Sequence, residues 1–258
     1  MTMPSEFLPA FIQNATVDNE ELLPELLGGR VQWETLLAFC RNFRIIGTGL
    51  LFLGGTAERF LPCLHHSGRA FAHFLEKVAE DSKLTSQCLP FFDAVAAGDS
   101  ECASRVARHA RRTWVRGSEY EEDFLFVELL MQHFFLGASN ADCSALLERY
   151  ERALQGTDDI RWELCRALLE RDSRLFESSL ERFLAERRDA MEEAEDSGRL
   201  APEVFATEGH LSVEGLALVR LAEFKGMDTQ EDYLHVPSVA RSPASRLPEP
   251  DAWMHFRL

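Results

Sequence analysis

The sequence predicts an all-α fold, an irregular array of stacked antiparallel helical hairpins preceded by an N-terminal helical cap. Three observations carry that expectation. Apolar residues recur at helical spacing almost throughout, no stretch alternates as a half-buried strand does, and Gly-Asp or Asp-Ser pairs punctuate the pattern at short intervals. With 258 residues, 46% of them hydrophobic, the chain is long and apolar enough to bury a sizeable core as one helical domain.

The expected cap covers residues 1–83. Within it Trp33, Leu36, Leu37, Cys40 and Phe43 fall on one helical stripe. The longest apolar stretch, 45–53, is broken by Gly47 and Gly49 and is far shorter than the roughly 20 residues that span a bilayer, so no membrane anchor is expected. Gly47, Gly49 and the Gly54-Gly55 pair are read as turn residues, because no strand precedes them and no Walker lysine follows.

The expected hairpin array covers residues 84–236. Gly98 suits the left-handed end of one helix while Asp99 caps the next. A similar junction recurs when AVAAGDSECASRVAR at 94–108 is laid on ALLERDSRLFESSLER at 167–182, with Asp99-Ser100 opposite Asp172-Ser173. Between them lie helices predicted over 119–136 and 142–154, and Phe176, Leu180, Phe183 and Leu184 mark a later core-facing stripe. The segment EEAEDSGRLAP at 192–202 ends that helix, and VEGLALVRLAEFK at 213–225 is apolar around most of its circumference, as a central helix is, with Gly226 placed to stop it. The tail, 237–258, carries Pro237, Pro243, Pro248 and Pro250 and is expected to be extended.

Charge narrows the function classes. Lys plus Arg number 27 against 43 Asp plus Glu, a net charge of −16. That argues against affinity for nucleic-acid phosphates or anionic membranes and favours a basic partner. The first residues, MTMPSEFLPAF, show no secretory signal, and the six cysteines are dispersed without a CxxC pair, so a reducing, cytoplasmic setting is expected. Neither a Gly-rich phosphate loop nor a GxSxG elbow is complete. His65, His66 and His73 lie close together, with Glu76 one helical turn beyond His73, but no second ligand pair faces them, so neither a metal nor another cofactor is expected.

The most unusual feature is EYEEDFLFVE at 119–128. It places Glu119, Glu121, Glu122 and Asp123 in or near the first turn of a helix, where carboxylates complement the helix dipole. Asp158 and Asp159 stand at a second predicted helix start. A pair such as Glu119 and Asp123 has the chemistry to chelate magnesium, but only Asp158-Asp159 with Glu163 offers a facing motif. These acids are therefore taken as partner-binding residues, with no catalytic residue and no enzyme expected.

Two stretches, EYEEDFLFVELL at 119–130 and VEGLALVRLAEFKGMDTQEDYLHVP at 213–237, together resemble the immunity protein 49 family. The turn at Gly98-Asp99, Trp114, the Glu214–Leu218 run, Tyr233 and Pro237 follow the same pattern, and the resemblance covers about residues 85–237. It implies a protein that protects a toxin-producing bacterium and its kin in interbacterial competition. Such a protein binds the active domain of a secreted polymorphic toxin stoichiometrically and has no catalytic residues. If the toxin is a nuclease, an acidic inhibitor can occupy its phosphate-binding groove. The alternative reading is a helical-repeat adaptor without a toxin partner.

Overall fold

Helical spacing is realised along most of the described chain: in the computed structural model, which describes residues 5–29 and 31–256, the ordered elements are twelve α-helices and three short 3-10 turns, with no strand among the described residues. The opening residues 1–4 and the last two of the tail lie outside that description.

Helices α1 (Leu8–Leu27), α2 (Trp33–Gly54) and α3 (Ala57–Leu75) pack in succession, and α3 then lies against α4 (Leu89–Ala96) and α5 (Ser100–His109). Gly47 and Gly49 are not turn residues but lie inside α2. A Cβ on Gly47 would come within 2.8 Å of the Cys63 Cβ on α3, and one on Gly49 within 2.7 Å of the Ile12 side chain on α1. Their role is close approach of neighbouring helices, whereas Gly55 does turn the chain, with φ +66°. By length and apolarity α2, with 22 residues, meets the requirement for crossing a membrane, but most of it is buried inside the protein. Its Arg44 is only 6% exposed.

The array follows as α4–α5, α6 (Glu121–Phe135) with α7 (Asn140–Leu154), and α8 (Ile160–Glu170) with α9 (Ser173–Asp196). Its caps are those the side chains dictate. Gly98 takes φ +77° and Asp99 accepts from the Cys102 N–H, Ser139 and Asp142 close a reciprocal capping box, and Asp172 accepts from the N–H groups of Arg174 and Leu175. The two similar segments thus do sit at equivalent turns, although Arg171 rather than glycine occupies the left-handed position of the second, at φ 57°.

After α10 (Pro202–Thr207), helix α11 (Val213–Phe224) packs against α4 and α9, and its Leu216, Ala217, Leu218 and Val219 are fully buried. That enclosure accounts for its apolar circumference. One contiguous core runs from Leu26 to Trp253, so the first three helices and the array share it. All six cysteines are buried in the thiol form, and burial pushes the Cys63 thiol up to about 12. The tail is not extended throughout, since it forms the short helix α12 (Ser238–Arg241) and a 3-10 turn at Ala252–His255; Ser245, between them, bonds to Glu58 through its N–H and hydroxyl, and Trp253 and Phe256 return to α2 and α3.

Polar groups inside the core are paired across helices. Arg44 on α2 meets Asp93 on α4 at 2.6 Å, and the Ser67 hydroxyl on α3 donates to the same carboxylate. Asp99 receives two bonds from Arg69, at 2.6 and 2.8 Å, and the His65 Nδ1 lies 2.9 Å away. Burial acts to raise the Asp99 pKa, but His65, Arg69 and the Cys102 N–H outweigh it and hold the carboxyl below its ordinary value.

His66 behaves oppositely. Enclosed between Phe43 and Phe256, its imidazole is pushed down to about 4 by burial, with His65 nearby adding to the effect. The unfolded chain takes up that proton near pH 6.5 and the folded one near 4, so stability present above the unfolded value is lost as pH falls through this window. The loss from His66 is about 3 kcal/mol when complete. His133 and His235, also pushed down to about 4 chiefly by burial, add to the slope that denaturation followed by circular dichroism is expected to show between pH 7 and 4, and His66→Phe is expected to reduce it by roughly one proton. An unchanged slope in that variant would show that His66 is not among the groups responsible.

Candidate functional site

The start of α6 and the loop before α8 face each other, and this brings the acidic residues together. Gln155 and Gly156 both take positive φ, at 50° and 86°, which turns the chain sharply after α7 and sets Asp158 and Asp159 ahead of α8. Along this side runs a groove in three adjoining sections. The first, ≈ 550 Å³, is lined by Trp114, Glu119, Tyr120, Glu121 and Glu122. The second, ≈ 690 Å³, shares Glu122, Ala153 and Gln155 with the first and adds Asp158, Asp159, Arg161 and Glu186. The third, ≈ 440 Å³, shares Arg187 and Glu214 with the second and ends among Arg41, Arg44, Arg199 and Glu208.

Five of the six acidic residues singled out in the sequence line this groove, and Asp123 is tied to it through Arg161. They are not equivalent. The Glu119 carboxylate accepts from the N–H groups of Val115 and Ser86, at 3.1 and 3.0 Å, and so fastens the loop before α6 to the turn before α4. Trp114 closes the same loop by donating to the Glu119 carbonyl at 3.0 Å. Glu121 pairs with Arg149 at 2.7 Å, Asp123 with Arg161 at 2.7 Å, and Asp158 with Arg182 at 2.5 Å. Asp159 caps α8 and also accepts from the Tyr150 hydroxyl and the Arg161 guanidinium, each at 2.9 Å. Burial acts to raise the Asp159 pKa, yet the bonds and charge of Arg161 prevail and keep the carboxyl ionised below its usual range.

Glu119 and Glu122 both lack an ion-pair partner among the described residues, but Glu119 is held by its two backbone N–H groups, whereas Glu122 has no side-chain hydrogen bond either and lies half-buried where the first two sections meet. Its carboxylate is therefore the one with unspent pairing capacity. Tyr120, directly before it, is 73% exposed at the rim, a large side chain that this chain does not cover.

Three contributors escaped the sequence. Glu186 enters from α9, where its spacing from Arg182 reads only as a surface pair, and the two do pair at 2.7 Å. Glu214 reads as part of an apolar helix, yet it faces the groove half-buried, and burial pushes its carboxyl up against the opposing pull of Arg161, Arg187 and Arg44. Arg187 sits beside it, with burial lowering its pKa. No local pattern marks any of these, because the groove is made where distant helices meet.

The histidine cluster goes elsewhere: the His73 Nε2 lies 2.8 Å from the Lys77 Nζ, and Glu76 pairs with Arg105. Among the described residues no three His, Cys, Asp or Glu side chains gather as a metal site.

Among known proteins, the family model for immunity protein 49 matches residues 45–240, well over half of the chain. No curated protein and no solved structure matches.

Proposed function

Since the chain belongs to the immunity protein 49 family, we propose that it neutralises a toxin in the producing cell's cytoplasm by stoichiometric binding and without catalysis, holding a basic surface of the toxin in the acidic part of the groove. The observation that supports this reading best is the convergence of Glu119, Glu121, Glu122, Asp158, Asp159 and Glu186 from three separate parts of the chain onto one concave face. Most of these carboxylates already hold an arginine of this chain, Glu121 and Asp158 one from another element, which keeps them oriented while leaving further oxygen lone pairs free to accept. Glu122 supplies an unpaired charge at the centre and Tyr120 an apolar rim. A toxin whose active site grips phosphates, as a nuclease does, presents a surface of this sign.

The test is kinetic, using the toxin domain encoded beside this gene. Attraction between a surface of this charge and a basic partner speeds encounter, so association is expected to slow markedly as salt rises. Glu122→Ala removes a carboxylate with no internal duty. Truncating one side of a buried charge pair is expected to hasten dissociation and to cost about 2–5 kcal/mol of binding. Glu186→Ala, at the exposed edge, is expected to act mainly on association. Asp159→Ala is a poorer probe, since it also uncaps α8. Association insensitive to salt, with both rates unchanged in Glu122→Ala and Glu186→Ala, would remove the acidic groove as the binding face.

A further inference from the structure

The far end of the groove reverses the charge of the molecule. In a chain of net charge −16, the ≈ 440 Å³ cavity there is faced by four guanidinium groups, Arg41, Arg44, Arg187 and Arg199, against two carboxylates, Glu208 and Glu214. That volume lies within the roughly 300–1,000 Å³ that small-molecule sites occupy.

Internal pairing leaves this set unbalanced. Arg44 is neutralised by Asp93 at 2.6 Å, Arg199 pairs with Glu193 at 2.9 Å, and Glu208 is shared loosely by Arg41 at 3.8 Å and Arg44 at 3.7 Å. Arg187 has no carboxylate partner among the described residues. Its Nη2 donates to the backbone carbonyls of Glu208, at 2.5 Å, and Leu211, at 3.4 Å, while its enclosed Nη1 has no acceptor. A carbonyl orients a guanidinium but does not cancel its charge, so an uncompensated cation is held in place beside the cavity. Glu214 offsets it weakly, because burial pushes its carboxyl toward the neutral form.

We propose that this end of the groove is an oxyanion site, binding a carboxylate or phosphate group among Arg41, Arg187 and Arg199. The planar forks of these side chains match the oxygens of either group, while Arg44, neutralised by Asp93, forms the back wall. A metal cation is the poorer occupant for the same reason: arginines outnumber carboxylates on the wall. The site adjoins the acidic section through Arg187 and Glu214 but uses none of the carboxylates assigned to the toxin, so it holds whether or not a toxin occupies them.

Titration calorimetry of the full chain at low salt, with inorganic phosphate and separately with succinate, tests this. One saturable equivalent is expected, weakening as salt rises. Arg187→Met is expected to weaken it about tenfold, the value of one charge-assisted hydrogen bond, and Glu214→Gln to tighten it by removing a like charge. Preference for phosphate would identify a phosphorylated ligand, and preference for succinate a carboxylate such as an acidic side chain of a bound polypeptide. If Arg187→Met fails to fold, the double variant Arg41→Ala, Arg199→Ala decides, since those side chains are 55% and 63% exposed and carry no core contact of consequence. No saturable heat with either anion, or binding unchanged in these variants, overturns the site.

Discussion

Asp93→Ala is expected to lower the free energy of unfolding by about 3–5 kcal/mol, the cost of leaving a buried ion without its counter-ion. Asp93 is completely buried on α4 and holds the Nε of Arg44 at 2.6 Å, while the Ser67 hydroxyl donates to its second oxygen. Removing the carboxylate strands both donors. Arg44 is itself only 6% exposed, and its remaining carboxylate neighbour, Glu208, is 3.7 Å away and shared with Arg41. Because the three residues come from α2, α3 and α4, the damage falls where the first three helices join the array. Urea denaturation followed by circular dichroism measures the loss. Arg44→Met in the Asp93→Ala background is expected to recover much of it, since an apolar pair avoids the desolvation cost altogether. A single-variant loss below about 1 kcal/mol would mean that Arg44 reaches water or Glu208 when released.

Much of this fold is legible in the sequence because helices write themselves locally. The apolar stripe of Trp33, Leu36, Cys40 and Phe43 is buried as its spacing requires, and Asp99 and Asp172 cap helices because their side-chain oxygens reach N–H groups two or three residues ahead. Gly47 and Gly49 show the limit. Glycine signals freedom to turn as well as freedom to approach, and only the positions of Cys63 and Ile12, on other helices, decide which applies.

The site divides in the same way. The acidic residues of the α6 and α8 starts are visible because helix starts are. Their engagement with Arg149, Arg161 and Arg182 is not, since those arginines lie 24 or more positions away on other elements, apart from the local contact of Asp159 with Arg161. The positive end of the groove is still less accessible. A net charge of −16 sums over the whole chain and hides a local reversal assembled from α2, α9 and the loop that follows α9.

Trp253→Ala is expected to cost about 3–5 kcal/mol, as large as a core truncation elsewhere, although the residue lies near the chain's end in a proline-containing tail. Only 2% of Trp253 is exposed. Its ring meets Phe74 and His73 at centroid distances of 5.4 Å and Phe39 at 6.2 Å, in edge-on or tilted contacts, so it closes the α2–α3 side of the core. Truncation withdraws those contacts and leaves Phe39 and Phe74, both essentially buried, facing a cavity or water. Pro243, Pro248 and Pro250 limit what the tail gains by coming away, because they already restrict its unfolded conformations. The Ser245 contacts to Glu58 are exposed and too weak to hold the segment by themselves. Cleavage by a non-specific protease within 242–252 is therefore expected to quicken in Trp253→Ala under native conditions, alongside a lower denaturation midpoint. Unchanged proteolysis with a stability loss under about 1 kcal/mol would show that the tail is held by something other than its tryptophan.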